Sequence, residues 1–189
     1  MENNAHKLAE LRINFRKQLP GAMEAIGHLA AQFFKQSFKQ QGQIDGGLKP
    51  WKKRSFEWQG KSRAILVQRG RLRNNIRSGR RRMNSAAVVS DLPYSLIHNE
   101  GGQIPITPKM RRFFWAMYKE STKGLTKTKK GTIGKSKHNQ KIMANAQIWR
   151  NLALTKKKHF NVPARPFMYH SADLNAKLDR YIDKFIKGL

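Results

Sequence analysis

Two glycine–lysine–serine stretches are the residues best suited to phosphate chemistry. Both end in the Gly-Lys-Ser sequence of the loop that binds nucleotide phosphates: Gly131-Thr132-Ile133-Gly134-Lys135-Ser136 and Gly60-Lys61-Ser62. That loop has four residues between its two glycines. The position of the first glycine is held here by Lys129 and by Ser55. No convincing strand precedes either stretch, so we interpret both as basic loops.

Catalysis by other means needs matched groups, such as a nucleophile with a base or a pair of carboxylates. His98 and Glu100 form the one suggestive pair, while the other acids are scattered and the six histidines lie far apart in the sequence. Cysteine is absent, which excludes disulfides and thiolate metal sites. The sequence therefore predicts no enzyme, no metal site and no cofactor, and the missing acid cluster argues against a nuclease.

Positive charge dominates the composition. Thirty-nine Lys and Arg oppose eleven Asp and Glu, which gives a net charge of +28. Such a chain repels itself, so we expect a polyanionic partner, either nucleic acid or an acidic protein surface. No motif that reads a base sequence is present, and any DNA contact should be to phosphate. The candidate contact residues are Arg77, Arg80, Arg81, Arg82, Lys127, Lys129, Lys130, Lys135 and Lys137.

Apolar periodicity predicts an N-terminal helical segment over residues 5–41. Leu8, Leu11 and Phe15 recur at helical spacing, and a second amphipathic face runs from Met23 to Phe38. Pro20-Gly21 lies between these faces and predicts an interruption, because proline disfavours helical geometry in the residue before it.

The rest of the chain alternates short apolar runs with helical patterns. The expected elements are a strand or buried turn at 64–67, a helix or strand at 72–76, a strand at 86–90, and helices at 108–119, 142–153 and 174–185. Residues 121–139 contain almost no apolar side chains and predict a mobile basic loop. The expected fold is α+β, with a small mixed or antiparallel sheet flanked by several helices, long N-terminal helices and a C-terminal helix. We expect a single domain over residues 1–189 and no segment that spans a membrane.

Five segments occur in an order and spacing typical of one protein family. They are 47–51 (GLKPW), 65–76 (ILVQRGRLRNNI), 94–102 (YSLIHNEGG), 106–114 (ITPKMRRFF) and 162–168 (VPARPFM). Together they span about 120 residues, and the chain resembles the virion morphogenesis, or tail-completion, family of tailed phages. The departures are Val162, where isoleucine is usual, and Asn99-Glu100, where glutamine and an aromatic residue are common.

This resemblance implies an α+β subunit of the virion neck, made in the host cytoplasm and not associated with a membrane. Such a protein joins or caps the tail at the head–tail connector as a ring, commonly a hexamer, around the channel that the genomic DNA crosses. Its partners would be copies of itself, portal-side connector proteins and tail tube or sheath proteins. The alternative is a basic protein that binds nucleic acid independently of sequence, which composition alone favours.

The resemblance also selects residues as subunit-interface or fold-anchor candidates. They are Trp51, Tyr94, His98, Gly101, Gly102, Arg165 and Phe167. The glycines suit tight turns. The planar guanidinium of Arg165 suits a carboxylate or backbone carbonyls, in its own subunit or in a neighbouring one.

Overall fold

A computed structural model of the chain describes residues 2–54, 63–82, 84–129 and 131–189. The helices in these ranges are α1 Glu2–Gln40, α2 Arg71–Asn75, α3 Ser95–Glu100, α4 Pro108–Thr122, α5 Lys137–Leu154 and α6 Ala172–Lys187. The strands are β1 Gly42–Ile44, β2 Leu48–Pro50, β3 Arg77–Arg82, β4 Ser85–Val89, β5 Gly102–Pro105 and β6 His159–Val162. None of the described helices has the length and apolar content that a bilayer crossing requires.

The strands pair two by two. β1 and β2 are antiparallel, with Gly42 opposite Pro50, and β3 and β4 are antiparallel, with Arg77 opposite Val89 and a register shift between Arg80 and Arg82. β5 pairs with β6. The α+β class is therefore confirmed, with small sheets, a long N-terminal helix and a C-terminal helix.

The chain divides into two compact units. Unit 1 comprises Met1–Gly102 and Pro163–Leu189, and unit 2 comprises Gln103–Val162. The chain length predicts that both units belong to a single domain that unfolds cooperatively. This division into contact units does not test that expectation, so the single domain stays a prediction.

The expected interruption at Pro20-Gly21 is wrong, because α1 continues through it without a break. Proline inside a helix removes one backbone hydrogen bond and costs about 3 kcal/mol. The C-terminal half of α1 offsets this cost by burying Phe33, Phe34 and Phe38 in the core of unit 1. The local preference at Pro20 is thus outweighed by packing further along the same helix.

We expect Pro20→Ala to stabilise the helix, raising the free energy of unfolding by up to about 3 kcal/mol. Gly21→Ala is a matched control for added helix propensity alone, since a Cβ at Gly21 would meet nothing within 4 Å, and it should contribute about 1 kcal/mol or less. Circular dichroism and urea unfolding measure both effects. An unchanged or lower stability for Pro20→Ala would contradict the continuous helix.

The core of unit 1 gathers side chains from distant parts of the chain. The aromatic side chains of Phe33, Phe34 and Phe38 of α1 pack with buried residues from later parts of the chain. These residues are Trp51, Leu72, Ile76, Phe167 and Leu174. Residues 64–67 form a turn and not a strand. The Gln41 side chain holds this turn in place through hydrogen bonds with the backbone N–H and C=O of Ile65. Residues 71–75 take the helical alternative as α2.

Unit 2 is built on α4 and α5. The Phe114 ring lies against Trp149, with 6.1 Å between the centroids, and against Phe160 of β6, at 6.0 Å. Pro108 lies at the start of α4, and the Thr107 hydroxyl accepts a hydrogen bond from the N–H of Met110. This is the capping arrangement expected at a helix N-terminus.

The segment between α4 and α5 contains more structure than a loop without regular contacts. Lys127 and Ile133 form a bridge, and the buried side chain of Asn139 bonds Thr126 and Gly134. The expectation that 121–139 lacks regular structure is therefore corrected: the segment begins inside α4, ends inside α5 and is held between them by one buried amide. Its mobility stays a prediction.

Candidate functional site

The segment after β6 docks onto two other parts of unit 1 through its backbone groups. The Arg165 N–H donates to the carbonyl of His98 at 2.9 Å, and the Trp51 indole N–H donates to the carbonyl of Pro166 at 2.9 Å. The Asn99 side-chain oxygen accepts from the N–H groups of both Phe167 and Met168, each at 2.9 Å. Segments 47–51, 94–102 and 162–168 thus meet at one place, which we call the anchor.

Aromatic rings fill the side of the anchor that faces the core. Phe167 is fully buried and Trp51 is 5% exposed. The Phe38 ring touches both, with 5.3 Å between its centroid and that of Phe167 and 5.4 Å to that of Trp51. Trp51 and Phe167 therefore lie in the core of unit 1, where their role is to hold the fold.

Two glycines make the turn that leaves α3. Gly101 has φ 78° and Gly102 has φ 150°, both in the region that side chains other than glycine's rarely adopt. Gly101 ends the helix that carries His98 and Asn99. The turn expected from Gly101-Gly102 is present, and it fixes where that helix stops relative to the anchor.

A cleft of about 680 Å³ opens beside the anchor. The basic side chains that line it are Arg54, Arg69, Arg71 and Arg165. The other lining residues are Ile65, Leu66, Val67, Gln68, Leu72, Tyr94 and His98. None of the lining residues that the structure describes is acidic, so this part of the cleft combines an apolar wall with four positive charges.

Arg165 is the most buried of these cations, with only 7% of its surface exposed. Its Nε donates to the backbone carbonyl of Lys52 at 3.1 Å, and none of the ion pairs among the described residues includes it. The carboxylate partner within the subunit, one of the two alternatives for this residue, is therefore not found in the described part of the chain. Burial and the nearby charge of Arg54 lower the pKa of the Arg165 guanidinium. Arginine nevertheless keeps its charge in proteins.

His98 lies next to this cation. Burial, and then the positive charge of Arg165, lower the pKa of His98 below its ordinary value. Its Nδ1 atom is buried and has no hydrogen-bond partner in the ranges that the structure describes. The Tyr94 ring packs edge-on to the imidazole, with 6.0 Å between the centroids. Protonating His98 would add a second positive charge beside Arg165, so the folded state favours the neutral ring.

This arrangement makes stability depend on pH. The unfolded chain binds a proton at His98 near pH 6.5, whereas the folded chain binds it only at lower pH. The contribution of His98 to stability is therefore complete above about pH 6.5 and is lost as the pH falls from there through the folded-state pKa. We expect His98→Gln to flatten the decline in melting temperature between pH 7 and pH 5. His138→Gln, at an exposed position, serves as control and should leave the decline unchanged; equal slopes in all three proteins would contradict the account.

The candidate polyanion-binding residues belong to two separate sets. Lys127, Lys129, Lys135 and Lys137 are exposed in unit 2, around the segment between α4 and α5. Arg77 is exposed in unit 1 and pairs with Asp91. For Arg80, Arg81 and Arg82 only the backbone is described, as part of β3, and Lys130 lies outside the described residues.

Some residues at the site were not expected from the sequence. Arg54, Arg69 and Arg71 line the cleft, and the Lys52 carbonyl binds Arg165. Asn99 was noted only as a departure from the family pattern, although its side chain bonds two backbone groups of the anchor. A sequence signal existed for the arginines, which belong to a basic stretch, but none existed for the carbonyl.

Among the described residues, no three His, Cys, Asp or Glu side chains lie close enough to hold a metal ion. Comparison with models of known families, with curated proteins and with solved structures gives no match to this chain.

Proposed function

We propose that this chain is a structural protein of the phage neck, a tail-completion or tail-terminator subunit that joins the tail to the head–tail connector. The observation that carries the proposal is the anchor. Segments 47–51, 94–102 and 162–168 resemble the tail-completion family and are far apart in the sequence, yet they meet through direct hydrogen bonds. A chance likeness spread over separate segments would not require them to lie together.

The segment 65–76 adds to this support. Leu66, Val67 and Leu72 line the cleft beside the anchor, and Gly70 precedes α2 with φ 71°, a conformation that suits glycine. The remaining segment of the resemblance, 106–114, belongs to unit 2 and carries no part of this argument.

A joining protein has to match the axial symmetry of a tail, so we expect copies of this chain to form a closed ring, commonly a hexamer. Native mass spectrometry and negative-stain electron microscopy of the purified chain would detect it, together with mass spectrometry of purified particles. The subunit could be monomeric before it meets its partners. A chain that is strictly monomeric and also absent from mature virions would contradict the proposal.

The charge of unit 2 favours a second candidate, a protein that binds nucleic acid independently of sequence. Between Gln103 and Val162 there are fifteen Lys or Arg and one acid, Glu120. On the neck proposal, DNA in the channel meets this charge only in passing. The dissociation constant of the free subunit should then be about 10⁻⁴ to 10⁻⁶ M at physiological salt, rising steeply with salt and independent of base sequence.

Fluorescence anisotropy with two duplexes of different sequence, over a range of salt concentrations, separates the two functions. Tight, salt-sensitive binding by the monomer would favour the second candidate. Discrimination between the two duplexes would contradict both.

A further inference from the structure

The cleft beside the anchor holds positive charge that no acidic side chain among its described lining residues neutralises. Its basic lining residues are Arg54, Arg69, Arg71 and Arg165. Water stabilises the charge of an exposed arginine, and Arg54, Arg69 and Arg71 are exposed. Arg165 is different because it is 93% buried, so water reaches it less than it reaches the other three.

The donors of Arg165 are only partly used. A guanidinium has five N–H donors, and within the described part of the chain the side chain makes one hydrogen bond, from Nε to the Lys52 carbonyl. Next to it the buried Nδ1 of His98 also has no partner among the described residues. A guanidinium that lines a cleft and has unused donors indicates a ligand that accepts hydrogen bonds and carries negative charge.

The shape and lining of the cleft favour a polypeptide ligand. Ile65, Leu66 and Val67 form an apolar wall beside the arginines, which suits an alkyl side chain next to a carboxylate. A DNA duplex presents phosphates on a convex surface, which suits an exposed cation better than Arg165, the most buried cation of the cleft. A second copy of this chain is a poor source of the carboxylate, since it carries 39 basic and only 11 acidic side chains.

We propose that this cleft binds a carboxylate-bearing segment of an acidic partner protein, with Arg165 pairing the carboxylate and the wall formed by Ile65, Leu66 and Val67 receiving the neighbouring apolar side chain. The exposed cations Arg69 and Arg71 attract the segment. The proposal goes beyond the joining role, because it concerns the chemistry of the partner and holds for any acidic protein that the free subunit meets.

The test uses the full chain and two labelled hexapeptides, one of alternating glutamate and leucine and one of alternating glutamine and leucine. Anisotropy is measured in 0.3 M NaCl, which shortens the Debye length to well below 10 Å and suppresses non-specific attraction to a +28 chain. We expect saturable one-to-one binding of the glutamate peptide and at least about tenfold weaker binding of the glutamine peptide. Equal affinity for both peptides would overturn the proposal.

Variants locate the binding. Arg69→Ala and Arg71→Ala change exposed cleft residues, and each should weaken binding of the glutamate peptide by about threefold or more, while Arg165→Met should weaken it by at least about tenfold. Arg150→Ala removes the same charge from an exposed position on α5 in unit 2 and should change affinity by less than twofold. Because the Arg69 and Arg71 variants leave the core intact, a folding defect in Arg165→Met would not decide the outcome.

Three results would overturn the proposal. The first is an equal loss in Arg150→Ala, which would mean that only net charge matters. The second is displacement of the bound peptide when unlabelled chain is added, by more than the peptide-binding capacity of the added chain explains. This result would mean that a second copy of the chain supplies the carboxylate. The third is that binding of a short DNA duplex depends on Arg69 and Arg165, whereas binding of the peptide does not depend on them. This result would mean that the cleft binds phosphate.

Discussion

Phe167→Ala is expected to lower the free energy of unfolding by about 3–5 kcal/mol, the usual cost of replacing a fully buried phenylalanine. Phe167 has no exposed surface, and its ring lies against Phe38, so the substitution leaves a cavity next to Trp51 and the anchor. A domain of this size has a total margin of about 5–15 kcal/mol. The variant should therefore be close to unfolding at physiological temperature.

Urea unfolding of the wild type and of Phe167→Ala measures this loss. Phe113→Ala is the matched control, because it removes the same side chain from a position that is 49% exposed, and it should cost less than about 2 kcal/mol. If Phe167→Ala costs no more than Phe113→Ala, the ring is not packed in the core and the anchor is not formed as described.

Arg165→Met is expected to separate stability from function. The side chain is buried and has no counter-charge in the described ranges of the chain, and an apolar residue of similar length removes that unfavourable burial. The lost hydrogen bond to the Lys52 carbonyl acts in the opposite direction, at about 1 kcal/mol. We expect the free energy of unfolding of the free subunit to change by less than about 2 kcal/mol, while the yield of tailed, infectious particles falls sharply.

Arg165→Lys should impair joining more than a change that conserves charge ordinarily does. Lysine is a point charge and cannot make the paired, in-plane hydrogen bonds of a guanidinium. A complementation assay measures particle yield for both Arg165 variants, beside the thermal stability of each purified subunit. Normal yield for Arg165→Met and Arg165→Lys would refute a joining role for this residue, and a stability loss that matches the yield loss would reduce its role to folding.

Apolar periodicity predicted the long helices well, because they bury one regular face. The patterns around Phe114, Trp149 and Leu174 correspond to α4, α5 and α6. The sequence pattern wrongly predicted an interruption at Pro20. The local cost of the proline is outweighed by the packing of Phe33, Phe34 and Phe38, and a rule based on neighbouring residues does not include that packing. Periodicity gave no strand at Arg77–Arg82, because four arginines around Gly79 carry no alternation of apolar and polar residues.

The candidate site was predictable in part. The resemblance selected Trp51, His98, Arg165 and Phe167, and the structure brings these residues together. The partner of the Arg165 side chain could not be predicted, since a backbone carbonyl such as that of Lys52 leaves no trace in residue types. The same holds for Asn139, whose amide holds the segment after α4 through contacts that depend on the tertiary fold.

The neck assignment is tested most directly by removing this chain from a phage that encodes it and imaging the lysate by electron microscopy. The account predicts filled heads and separate tails of normal appearance, with joined particles restored by supplying the wild-type chain and not by supplying Arg165→Met. Joined, infectious particles in the complete absence of the chain would contradict it.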